Sequence, residues 1–382
     1  MISRAISPSL KKLLRYYPIV SLSGPRQSGK TTLLRQQFSA LPYYSLEDPD
    51  ILRFTHEDAR GFLDQSPKGC IVDEVQLNPS LLSYLQTRVD LNPKVKYLIS
   101  GSQNFLLMEN VSQSLAGRAG LLTLLPFARQ EMPVDRLEEW MWKGGYPALF
   151  DRNIPPKIFF PNYVQTYLER DVRSLLNVGS LLDFERFLRL CAGRAGQLVN
   201  LSALASDTGI SVNTAKAWLS VLEASYTVFM LPSYHNNFNK RLIKMPKLYF
   251  WDTGLLAWLL GIEKAAQVPS HYAVGAIFEN AIIVELAKSY YNQGEVPRFY
   301  FFRDSNGNEV DLLIEQGRKI KAVEMKYGKT IHPESFRGLN TWNKISGQSP
   351  GNGFLVYGGT QTSTYNKFNV VPWSGIEHIA TP

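Results

Sequence analysis

Short apolar runs separated by polar, glycine-bearing turns recur through the first third of the chain. Tyr17-Pro18-Ile19-Val20-Ser21-Leu22, Cys70-Ile71-Val72, Val95-Lys96-Tyr97-Leu98-Ile99-Ser100 and Leu121-Leu122-Thr123-Leu124-Leu125-Pro126 each have the length and composition of a buried strand. Helical stretches lie between them, the first being Thr32-Leu33-Leu34-Arg35-Gln36-Gln37-Phe38. This alternation predicts an α/β fold, a parallel sheet with helices on both faces, over residues 1–130. Residues 131–200 are aromatic-rich and mostly helical, interrupted at Gly144-Gly145-Tyr146-Pro147 and at Pro155-Pro156.

Residues 201–270 change pattern again. Leu201, Leu204 and Ala205 give a short helix one apolar face, Gly209 permits a turn, and Ser211 caps a second helix. Ile210, Ala215, Trp218, Leu219 and Leu222 then face inward. Tyr226–Leu231 and Lys247–Trp251 follow as two strands, which predicts a winged helix. The loop between them carries Asn236, Asn237, Asn239, Lys240, Arg241 and Lys244, a basic and amide-rich wing able to touch phosphates. Packing against the N-terminal sheet is an equal alternative for this module.

In the last segment, 271–382, two alternating runs flank Gly317-Arg318: Asn308–Glu315 and Lys319–Lys326. A two-residue loop with glycine first suits a type II′ hairpin. Counting outward from that loop sets Asp311 opposite Glu324 and Glu309 opposite Lys326, on one face, with Cβ atoms of a pair roughly 5 Å apart. The other face receives Val310, Leu312, Ile314, Val323 and Met325 as core, with Lys321 at its end. Upstream, Phe278–Leu286 reads as an amphipathic helix able to bring Glu279 to the same place.

Composition changes this picture little. The 382 residues are 45% hydrophobic and 19% charged, an ordinary globular balance. Two cysteines, Cys70 and Cys191, make neither a disulfide framework nor a metal cluster and suit a reducing cytosol. No apolar stretch approaches the ~20 residues that cross a bilayer, so the expectation is a cytoplasmic protein with no membrane contact. The net charge of +8 permits a polyanionic partner, but it is spread along the chain.

The candidate chemistry starts at Gly24-Pro25-Arg26-Gln27-Ser28-Gly29-Lys30-Thr31, which fits the phosphate-binding P-loop between a strand and a helix. Backbone N–H groups and a helix N-terminus converge there on a polyphosphate. Lys30 reaches the β- and γ-phosphates, Thr31 ligates Mg²⁺, and Thr32 follows in the same turn. Asp73 at the next strand end completes the metal shell, and Glu74 polarises the attacking water. Ser102, with Gln103 or Asn104 as alternatives, is the candidate γ-phosphate sensor. The Asp-Glu pair favours water over an acceptor hydroxyl, hence ATP hydrolysis. At the C-terminus, Asp311 and Glu324 pair two like charges that would destabilise a sheet on their own. A second Mg²⁺ held by Asp311, Glu324 and Glu279 would relieve that repulsion, and Lys326 would orient a water for phosphodiester hydrolysis.

The order of P-loop, Val72–Gln76, Ser100–Ser102, Leu115–Arg118, Gly144–Pro147, Tyr167–Val172, Leu248–Gly254 and Gly307–Asp311 resembles the prokaryotic AAA+ ATPases with a conserved C-terminal domain. The resemblance covers nearly the whole chain. It implies an AAA+ ATPase domain over 1–130, a helical region over 131–200, a winged helix over 201–270 and a restriction-endonuclease-like domain over 271–382. That nuclease fold carries an acid, a later Asp and Glu-x-Lys, matched here by Glu279, Asp311, Glu324 and Lys326. Arg118 matches the family's Gly-Arg element, as an arginine finger, a sensor or a structural ion pair. Implied partners are ATP with Mg²⁺, DNA through Lys240, Arg241, Lys244 and the C-terminal domain, and further copies of the chain. A nucleotide-switched regulator or scaffold with an inactive nuclease-like domain is the alternative.

Overall fold

The first five strands are β1 (Ile19–Ser23), β2 (Tyr43–Ser45), β3 (Ile71–Asp73), β4 (Tyr97–Gly101) and β5 (Ala119–Thr123). They form one parallel sheet in the order β2-β3-β4-β1-β5. The computed structural model that defines them describes residues 2–102, 115–168, 180–234 and 245–380. β1, β3 and β4 are buried along their whole length, which is why they read as unbroken apolar runs. Apolar groups on the two faces join separate clusters, one around Phe62, Leu85 and Ile99 and the other around Leu10, Leu34 and Leu98. Helix Ser7–Tyr16, with an apolar face on Leu10, precedes β1. No helix was expected ahead of the strand that starts near Tyr17.

The chain then builds helices Leu137–Lys143, Pro156–Tyr163, Leu181–Ala192, Leu201–Thr208 and Val212–Ala224. Gly209 ends the fourth of these in the left-handed region at φ 84°, and the Ser211 side chain accepts from Thr214 N–H to cap the fifth. Leu204, Ala205, Ala215, Trp218, Leu219 and Leu222 are buried as expected. β6 (Val228–Leu231) and β7 (Lys247–Phe250) pair antiparallel directly after it. The expected wing residues Asn236 to Lys244, the alternatives Gln103 and Asn104, and the Glu169–Val172 part of the family motif lie outside the described residues.

Helix Val274–Asn292 leads into a six-stranded mixed sheet in the order β12-β13-β11-β10-β9-β8. Its strands are β8 (Phe299–Arg303), β9 (Glu309–Gln316), β10 (Lys319–Lys326), β11 (Gly353–Tyr357), β12 (Ser363–Tyr365) and β13 (Phe368–Pro372). The helix is buried on every side from Ile277 through Lys288, apart from the half-buried Glu279, and is not the amphipathic element expected. The β9–β10 register runs as counted from Gln316 opposite Lys319 to Leu312 opposite Val323, and the expected Asp311–Glu324 and Glu309–Lys326 pairs lie beyond it, where β9 becomes irregular. Gly317 stands at φ 61° with Arg318 outside the positive range, the combination a II′ turn requires. Leu312, Ile314, Val323 and Met325 face the long helix as predicted. Val310 does not. A register shift against β8 between Tyr300 and Phe302 breaks the alternation, and Val310 packs with Phe302, Leu313 and Trp342 on the opposite face.

Candidate active site

The phosphate loop leaves the carboxyl end of β1, whose neighbours β4 and β5 continue the sheet in opposite directions, the place where open α/β sheets bind ligands. Gly24 has φ 144°, and a Cβ there would lie 2.1 Å from the Leu124 carbonyl oxygen. Only glycine fits that approach. Gly29, at φ 94°, starts helix Lys30–Gln37. Lys30 is buried and its Nζ donates to the Gly24 and Pro25 carbonyls at 2.9 Å each. A cavity of about 640 Å³ opens over the loop, lined by Arg26, Gln27, Gly29, Lys30, Thr31, Thr32, Glu47 and Glu74. Pro147, Ala148, Asp151 and Arg152 close its other wall.

Asp73 is the hub. Its Oδ2 accepts from Thr31 Oγ1 at 2.5 Å and from Tyr43 at 3.0 Å, and its Oδ1 accepts from Glu74 N–H at 3.1 Å and from the Ser100 hydroxyl. Burial and the Asp73 charge push the Tyr43 phenol up to about 12, so it stays a donor. Glu74 sits in the left-handed region at φ 55°, an uncommon conformation for a non-glycine residue. Its Oε2 accepts from Ser102 Oγ at 3.1 Å and from Gln76 Nε2. A glycine cradle, a buried ammonium and a hydroxyl–carboxylate pair are the donor set that holds a triphosphate and Mg²⁺. Ser102 thus meets Glu74 directly.

Arg118 belongs elsewhere. Its carbonyl pairs with Ile19 at the amino end of β1, the sheet edge opposite the loop, and its guanidinium forms a two-point ion pair with Asp90 at 2.6 and 2.9 Å. In its own chain it is a structural ion pair and not a nucleotide contact.

Sequence reading missed the group that backs the loop. The buried Arg4 donates to the Ser28 carbonyl at 2.7 Å, to the Leu125 carbonyl at 2.7 Å and to Glu131 at 3.1 Å. Glu131 also accepts from Ala5 and Ala128 N–H. Burial lowers the Arg4 pKa, and the neighbouring Glu131 charge opposes that shift. Gly144-Gly145-Tyr146-Pro147 is equally informative in hindsight. Asp252 caps helix Thr253–Leu259 and accepts from Gly145 N–H at 2.7 Å, setting Pro147 against the loop.

The C-terminal acids gather into a partly buried ionic network. Lys247 pairs with Glu279 at 3.2 Å and Glu309 at 2.5 Å. Tyr249 donates to Glu279, and Arg303 pairs with Glu309 at 3.4 Å. Asp311 accepts from Met325 N–H at 2.8 Å, and Lys326 stands 3.8 Å from Asp311 and 3.2 Å from Glu324. Asp311, Glu324 and Lys326 are therefore brought together. Glu279 is held instead by Lys247 and Tyr249, because the helix that carries it is buried against β7. Among the described residues no three acidic, His or Cys side chains stand close enough to hold a metal ion as they are placed here, Glu279 included. Burial, then the Asp311 charge, push Glu279 up to about 7 and Glu324 well above the carboxylate range. A Cβ at Gly338 would lie 1.9 Å from Glu324 Oε1, so helix Arg337–Ser346 closes over that carboxylate.

Residues 16–133 match the family model of an AAA domain. Residues 134–266 match a domain of unknown function (DUF8612), and residues 274–376 match another (DUF4143). Two relatives, an uncharacterized protein of Mycobacterium tuberculosis and one of Mycobacterium bovis, are each 29% identical over 344 residues, 88% of this chain and 76% of theirs. Among solved structures, a Walker-type ATPase of Pyrococcus abyssi aligns at a TM-score of 0.49 and 16% identity, over 68% of this chain and 96% of that one. A RuvB variant of Thermotoga maritima aligns at 0.30 and 15%, over 60% and 90%. The loop, the parallel sheet and the AAA match together support the class of AAA-type P-loop ATPases. Among the described residues no helix is long and apolar enough to cross a membrane.

Proposed function

We propose that this chain is a Mg²⁺-dependent ATP hydrolase whose nucleotide state is passed to a nucleic-acid-binding module in residues 201–270. The observation that carries the hydrolytic part is the Thr31–Asp73 contact, two oxygens poised to share one ion's shell next to Glu74. Bound Mg²⁺ would neutralise developing charge on the phosphates. Lys30 orients the triphosphate, Glu74 takes the proton of the attacking water, and Ser102 fixes the Glu74 carboxylate.

Coupling is supported by one buried hydrogen bond. The Tyr226 hydroxyl donates to Ser23 Oγ at 2.8 Å, one residue before the loop, and Tyr226 itself lies between helix Val212–Ala224 and β6 at φ 56°. A shift of the loop root on ATP binding therefore pulls on the start of the hairpin. We read residues 201–270 as a winged helix, with Lys240, Arg241 and Lys244 meeting DNA phosphates. Tyr226→Phe is expected to keep basal ATP turnover while losing its stimulation by duplex DNA. Phosphate release measured with and without DNA tests this, and full stimulation in the variant would break the proposed link.

In this reading the C-terminal segment is a restriction-endonuclease-like scaffold whose acids serve as an ionic lock. Metal-dependent cleavage is the second reading, favoured by the convergence of Asp311, Glu324 and Lys326. Under the lock, Asp311→Ala leaves Met325 N–H without its acceptor and destabilises the protein by about 1–3 kcal/mol. Wild-type protein would then leave plasmid DNA intact in Mn²⁺. Mn²⁺-dependent nicking that Asp311→Ala and Lys326→Ala both abolish would establish the second reading instead.

A further inference from the structure

A recess of about 200 Å³ lies where three parts of the chain meet, and it shares no lining residue with the phosphate cavity. β1 and the edge strand β5 supply Ser21, Ser23 and Leu121, and Tyr226 closes one side. Tyr291 and Glu295, at the end of helix Val274–Asn292, close the other. At about 30 Å³ for each water in the liquid, the space equals roughly six or seven waters, enough for a short-chain molecule.

The two ends of the recess differ in chemistry. Ser21 and Ser23 are the polar positions of a strand buried along its whole length. Ser23 is satisfied, accepting from the Tyr226 hydroxyl at 2.8 Å and donating to the Leu122 carbonyl at 3.2 Å. Ser21 is 2% exposed, and its Oγ has no hydrogen-bond partner among the described residues. A buried hydroxyl left without a partner is unfavourable and calls for a polar group from the cavity. Glu295 and Val296 are exposed and stand at the mouth. Glu295 is the one carboxylate of the lining, which holds no Lys, Arg or His although the chain carries a net charge of +8. The Tyr291 ring adds a face that attracts an ammonium. Leu121 and Leu122 are the apolar part of the wall.

We propose that this recess binds a short amino alcohol, its ammonium at Glu295 and Tyr291 and its hydroxyl paired with Ser21 Oγ. The reverse orientation would bury the ammonium at Ser21, away from any carboxylate, which is costly. A bound ligand lies against Ser23 and Tyr226, the pair that joins the root of the phosphate loop to residues 201–270. Binding itself does not depend on the function proposed for that loop.

The test is a ligand-observed NMR titration of the full chain without nucleotide, using ethanolamine, propanolamine and butanolamine. Propylammonium and butylammonium serve as partners that lack the hydroxyl, and hydroxybutyrate as one of reversed charge. The best amino alcohol should bind about fivefold more tightly than the alkylammonium of equal chain length, the scale of one net hydrogen bond. Hydroxybutyrate should not bind. Ser21→Ala should bring amino alcohol and alkylammonium within about twofold, and Glu295→Lys, a change at an exposed position, should weaken all the cations by about tenfold or more. Failure of every amino alcohol to bind wild type, or equal binding of hydroxybutyrate, would overturn the assignment whether or not either variant folds. Unchanged affinities in a folded Glu295→Lys would overturn it as well.

Discussion

Lys30→Ala loses nucleotide binding by on the order of 10²-fold or more, the scale of deleting one preorganised charge from a phosphate site. The lysine is buried against the carbonyls of Gly24 and Pro25, so its ammonium is already desolvated and held over the loop. Arg26 and Arg152 also line the cavity. Arg26, itself in the loop, is engaged by Glu47 at 3.8 Å, and Arg152 comes from the facing wall, so neither is held over the loop carbonyls as Lys30 is. The measurement is equilibrium binding of ATP by titration calorimetry. Wild-type affinity in the variant would mean that the loop does not hold phosphates.

Glu74→Gln gives the second large effect and separates chemistry from binding. The glutamine keeps the size of the side chain and an oxygen for the Ser102 hydroxyl, but it no longer takes a proton. Turnover should fall by roughly 10²-fold or more while ATP binding persists. The backbone supports this assignment. A non-glycine residue in the left-handed region, buttressed by Ser102 and Gln76, is the kind of local strain retained where a side chain must be aimed.

The loop, β1, β3 and β4 were legible in the sequence because their signals are local: a glycine spacing, short buried runs, two acids at a strand end. The β9–β10 register was legible for the same reason, since a two-residue turn dictates the pairing near it. What escaped depends on contacts between distant segments. Tyr43 reaches the site from β2 and Arg4 from the segment before the first helix, and nothing in their own neighbourhoods marks them. Arg118 stayed open among three roles because a motif's position along the chain does not say which end of a strand it occupies; its pairing with Asp90 matches the structural one. Val310 changed faces at a single irregularity in pairing with β8, an event that alternation alone does not forecast. Glu279 was drawn toward the wrong partners because helix Val274–Asn292 is packed on all sides, leaving its carboxylate to Lys247 and Tyr249.

The most direct measurement is phosphate release from ATP by the purified chain, run with and without Mg²⁺ and paired with ATP titration of Glu74→Gln. The account predicts Mg²⁺-dependent release by wild type. In the variant, release should drop by about 10²-fold or more, the loss expected of a positioned base, with ATP affinity essentially retained. Release at the wild-type rate from Glu74→Gln, or wild-type protein that binds ATP and never hydrolyses it in Mg²⁺, would contradict it.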